Sequence, residues 1–166
     1  MRHDGLPRNH ENTTRDLCVI LLVAAAAACA PAPQAGTTPA AGTAMSAGIV
    51  DPYLRIQSAL AADSVEGVKA NAGNIATASS ALGAPSMKIS TAALQLASAG
   101  ELEDARTKFG VLSEAIDTYM TGLHLTPPEG VKVAYCPMIR KPWLQQDGTI
   151  ANPYYGTQML TCGSFR

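Results

Sequence analysis

The sequence predicts an all-α protein, an antiparallel up-down four-helix bundle with a small irregular, short-strand cap at its C-terminal end. Three observations predict it. The 166 residues are 47% hydrophobic but only 5% aromatic, and alanine makes up much of the apolar share. Alanine is the best helix former and lets helices approach closely, although it buries little area per residue. From Tyr53 to Leu123 apolar residues recur at steps of three and four, the signature of one-sided helices. The breaks between these stripes are short, which favours antiparallel neighbours.

The N-terminal segment reads as an address. Leu17 to Ala28 is LCVILLVAAAAA, too short to span a bilayer and of the right length for the apolar part of a signal peptide. Arg2, Arg8 and Arg15 precede it, with Asp4, Glu11 and Asp16 among them. Small residues then lead to Cys29, Ala30 and Pro31, a pattern that resembles a bacterial lipobox in which Cys29 becomes the lipidated first residue. Ala26 stands where leucine is usual, and cleavage by an ordinary signal peptidase at a nearby Ala-x-Ala site is the alternative. Residues 1–28 are therefore expected to be a lipoprotein-type signal peptide. Either route exports the chain to the periplasmic side of a cell envelope, and Ala30 favours an outer-membrane lipoprotein. Residues 29–50, rich in Pro, Gly, Ala and Thr, are expected to be a flexible tether, and residues 51–166 the folded domain.

Within that domain, Asp51 and Pro52 predict a helix start, an N-cap acceptor followed by proline at the first helical position. Tyr53, Ile56 and Leu60 share its inner face. Asp63 with Glu66 three residues on reads as a capping-box variant opening a second helix, with Val65, Val68, Ala72, Ile75 and Ala76 inward. Gly83 and Pro85 break the pattern, and a third helix is expected over Met87–Ala99, with Ile89, Ala93 and Leu96 inward. The fourth stripe, Leu102, Ala105, Phe109, Leu112, Ile116, Tyr119 and Leu123, has no gap and is ended by Pro127 and Pro128. Met87 and Met120 are expected to fill the core.

The cap, residues 130–166, is where chemistry is expected. Val131 to Tyr135 predicts a short strand, and Trp143, Tyr154 and Tyr155 supply aromatic packing. Cys136 and Met138, then Met159 and Cys162, form Cys-x-Met and Met-x-x-Cys pairs. Thiolates and thioethers are soft donors suited to Cu(I) or Ag(I), and His124 at the end of the fourth helix is a further candidate ligand. A structural zinc site wants four nitrogen or sulfur ligands and is less well served. The alternative is a Cys136–Cys162 disulfide. With Cys18 removed and Cys29 lipidated these are the remaining thiols, and closing a loop of this length contributes about 3.5 kcal/mol on the entropic model.

The strings AYCPM, WLQ and NPYYGTQMLTCG, with Ala105, Arg106, Phe109, Leu112 and Ser113 in the preceding helix, resemble a bacterial domain of unknown function. That domain occurs alone in exported proteins and attached to periplasmic adaptor subunits of copper/silver efflux pumps. The likeness runs from Tyr53 to Gly163. It implies a helical-bundle domain of envelope heavy-metal handling, with Cys136, Met138, Met159 and Cys162 matching the family motif. Here the stretch from Met138 to Trp143 is shorter than the family's glycine-containing insert.

The expected function is thus a lipid-anchored accessory that captures a soft metal ion, working with envelope efflux components. A structural or protein-interaction module stapled by the disulfide is the alternative. A net charge of -1 gives no basic field for nucleic acid. The chain has no phosphate loop, nucleophile elbow or HExxH, so it is not expected to be an enzyme.

Overall fold

Four helices run in sequence, α1 (Ala47–Ala61), α2 (Val68–Ser80), α3 (Met87–Ala97) and α4 (Leu102–Gly122), followed by strands β1 (Val131–Cys136), β2 (Lys141–Gln146) and β3 (Ser164–Phe165). This computed structural model describes residues 43–166; the expected signal peptide, Cys29 and most of the tether lie outside them. The all-α expectation is corrected, because the last fifth or so of the chain builds a three-stranded antiparallel sheet in the order β2-β1-β3. Each helix packs on the next, but α1 and α4 barely meet. β2 lies against both of them and closes the open side of the helical array. The sheet is thus a wall of the core and not a cap laid on a finished bundle.

Core burial follows the helical stripes. Tyr53, Ile56 and Leu60 of α1, Ala72 and Ile75 of α2, Ile89 and Leu96 of α3, and Phe109, Leu112 and Ile116 of α4 are almost fully enclosed. Two of the residues expected inside, Val65 and Met87, are exposed instead. α1 starts before Asp51, with the Val50 N–H donating to the Ser46 carbonyl at 3.0 Å. Met45, Ile49 and Val50 are buried, and this apolar area outweighs the local cap preference at Asp51. Pro52 therefore falls inside the helix. Residues 44–50, expected in the tether, belong to the fold. Ala44 bridges Thr126, and the Met45 N–H donates to the Thr126 carbonyl at 2.9 Å. Among the described residues no helix is long and apolar enough to cross a membrane.

Asp63 does not cap α2. Gly67, in the left-handed region at φ 70°, precedes that helix, and Asp63 itself sits at φ 56°. Its carboxylate is turned to Arg106 on α4 and to Thr157 in the C-terminal segment. Arg106, almost fully buried, also donates to the carbonyls of Leu60 at 3.0 Å and Pro153 at 3.2 Å. One guanidinium thus joins the end of α1, the start of α4 and the last loop. Gly156 makes room for it, since a Cβ there would run into both Asp63 and Arg106.

Candidate metal centre

β1 and β2 pair from Val131↔Gln146 to Cys136↔Lys141, so Cys136 ends its strand where the hairpin turns through residues 137–140. β3 adds to the other side of β1, with Ala134↔Phe165 and Tyr135↔Ser164. Continuing that antiparallel register places Gly163 next to Cys136 and brings Cys162 to it. Gly163 lies at φ 148°, and a Cβ there would stand 2.5 Å from the Trp143 ring and 3.0 Å from the Tyr135 carbonyl oxygen. Only a residue without a side chain lets the final strand come this close.

Both thiols are free, Cys136 buried and Cys162 half-buried. They are neighbours. Burial first, then the charge and hydrogen bonding of Cys136, push the Cys162 thiol above its ordinary range. Cys136 lies in the core cluster that also holds Trp143 and Tyr154. Trp143 meets Tyr154 edge-on, and the Tyr154 hydroxyl donates to the Pro142 carbonyl. Burial raises the Tyr154 phenol far above its usual value, so it stays a protonated donor. The Tyr53 hydroxyl accepts the Leu144 N–H at 3.3 Å and pairs with Ser113 at 2.6 Å, which fixes β2 against α1 and α4.

Asn152 is the residue that the sequence reading missed. It is fully buried. Its Nδ2 donates to the Cys162 carbonyl at 2.6 Å and faces Cys136 Sγ at 3.4 Å. Its Oδ1 accepts the Tyr154 N–H at 2.8 Å, and its own N–H donates to the Leu160 carbonyl at 2.7 Å. These partners are far apart in sequence from Cys136, and no local spacing signals the link. The pairing of Asn with Pro153 reads only as a turn.

The four sulfur residues and His124 do not all gather. Cys136 and Cys162 come together. Met138 is in the hairpin turn with its side chain 62% exposed, and Met159 is also exposed, at 37%. Each methionine is a short step along the chain from its cysteine, and the Cys162 N–H donates to the Met159 carbonyl at 3.0 Å. His124, two residues past the end of α4, lies in the left-handed region at φ 54°. Among the described residues no three of His, Cys, Asp and Glu cluster, so His124 does not stand with the thiol pair. What the arrangement offers is two neighbouring sulfurs that no third His, Cys, Asp or Glu joins among the described residues. Comparison with family models, curated proteins and solved structures gives no match to this chain.

Proposed function

We propose that this protein is a non-catalytic, exported accessory that holds a soft monovalent metal ion, Cu(I) or Ag(I), as cargo between Cys136 and Cys162. The observation that carries the reading is the adjacency of these two thiols, one closing β1 and one leading into β3. Soft cations bind thiolates in preference to oxygen donors, and two sulfurs suffice for such an ion when no carboxylate or imidazole competes. Met138 and Met159, exposed on the two adjoining segments, supply thioethers suited to receiving the same class of ion. In this reading Cys29 carries the lipid, residues 30–43 give reach from the membrane, and the partners are envelope efflux components.

The test is anaerobic titration of the reduced mature chain, with Cys18 removed and Cys29 lipidated, with Cu(I), set against the Cys136→Ser/Cys162→Ser double variant. One ion per chain is expected for the parent and none of comparable affinity for the variant. Equal stoichiometry in the two would refute the thiol site.

The same adjacency supports a second reading, in which the pair is oxidised to a disulfide that staples β3 to β1. Thiol counting on protein isolated without reductant distinguishes the two. Two reactive thiols in the unfolded chain support ion capture, and none supports the staple.

A further inference from the structure

The side-chain amide of Asn152 has two N–H donors on one atom and one acceptor on the other, and the structure engages both ends. Its oxygen is pinned by the Tyr154 N–H at 2.8 Å, so the NH2 end must face the thiols. One hydrogen goes to the Cys162 carbonyl at 2.6 Å. The other is directed at Cys136 Sγ, 3.4 Å away. Asn152 is fully buried and its backbone is tied on both sides, by its N–H to Leu160 and by the Gly156 N–H to its carbonyl at 3.1 Å. A buried amide so fully committed has one orientation, and it touches the two cysteines differently, one through sulfur and one through the main chain.

We propose that Asn152 is the positioning residue of the thiol pair, fixing the spacing of the two sulfurs before an ion arrives and donating to Cys136 Sγ once it is a ligand. The inference rests on the metal-binding reading above and adds the residue that organises that site. Donors behind ligating atoms orient them and tune their basicity, and their loss commonly weakens metal binding about 10- to 100-fold. Asparagine is required because aspartate, of the same size, retains the acceptor for Tyr154 but has no donor for either cysteine.

The experiment is Cu(I) binding by the reduced mature chain, with Cys18 removed and Cys29 lipidated, in competition with a coloured Cu(I) chelator, for the parent and for Asn152→Asp. The variant is expected to keep one ion per chain and to lose about 10- to 100-fold in affinity. A folded Asn152→Asp protein with unchanged affinity would overturn the proposal. A second measurement needs no substitution at Asn152. In the parent chain, the NMR resonances of the Asn152 side-chain amide are expected to shift when Cu(I) saturates the site. In the metal-free chain, Cys136→Ser should shift them more than Cys162→Ser, because the amide reaches Cys162 only through its carbonyl. A purely structural asparagine would show neither response, and that result also overturns the proposal. If the parent takes up no Cu(I), the functional reading fails, while the metal-free comparison still decides whether Asn152 holds the Cys136 sulfur.

Discussion

Asp63 takes a backbone φ of 56°, a conformation that non-glycine residues adopt at a cost, and its carboxylate meets Thr157 and Arg106. The Thr157 hydroxyl, followed by the Arg106 guanidinium, holds this carboxyl below the usual range. A carboxyl with a depressed folded-state pKa stabilises the protein above its unfolded pKa and loses that contribution as pH falls through the folded value. The urea midpoint of the parent should therefore drop between about pH 5 and pH 3 more steeply than that of Asp63→Asn. Parallel curves would show that the clamp does not titrate as described. Arg106 has the larger structural role, because its removal leaves the buried Pro153 carbonyl without a donor, whereas the Leu60 carbonyl keeps the Asp63 N–H at 3.2 Å. Arg106→Met should cost about 1–3 kcal/mol in equilibrium denaturation, the penalty of one buried acceptor left unpaired. The capping-box spacing from Asp63 to Glu66 was readable in the sequence. Which partner won the carboxylate was not, because Arg106 and Thr157 reach it only through the tertiary fold.

At the level of elements, the helices were readable and two of the three strands were not. One-sided burial stamps a 3.6-residue period on a helix, and the stripe from Ala105 through Phe109, Leu112, Ile116 and Tyr119 is buried as its spacing requires. β1 was readable from Val131, Val133 and Tyr135. β2 hides its character because Pro142, Trp143, Leu144 and Gln145 are buried in succession, covered on both faces, and its proline argues against a strand. β3 is two residues long and exists only as a partner of β1. The thiol pair itself was foreseeable as the last two cysteines of the chain, whereas Asn152 belongs to a loop whose partners no pattern reveals. The close passage at Gly163 gives a test at this scale. Gly163→Ala should push the final strand away from β1 and destabilise the protein by about 1–3 kcal/mol through overpacking and strain. Emission from Trp143, the only tryptophan, should report the shift. An unchanged spectrum and midpoint would mean that β3 is not held against that ring.

At the scale of the molecule, the sheet and the helices of the described residues share one hydrophobic core. Tyr53 and Phe109 pack at 4.9 Å between ring centres, Phe109 and Tyr154 at 5.9 Å, and Trp143 and Tyr154 at 5.9 Å, so a continuous aromatic row crosses from the helices into the C-terminal segment. A chain ended at Glu129 should lose cooperative unfolding and bind a hydrophobic dye, since the apolar flanks of α1 and α4 would lose the strand that separates them from water. Sharp thermal unfolding of that fragment would contradict the architecture. If the two cysteines are oxidised, the disulfide form should exceed the reduced form by about 3.5 kcal/mol on the entropic model. Equal stabilities would show that the loop they close is already ordered when the chain unfolds. The unequal shelter of the two sulfurs also sets an order of events. Cys136 is fully enclosed and Cys162 is only half so, which makes Cys162 the more reachable of the two. A visitor of any kind, cargo, oxidant or alkylating probe, should greet Cys162 first. Probes of graded bulk should accordingly mark that sulfur alone, and only the smallest should ever reach its neighbour.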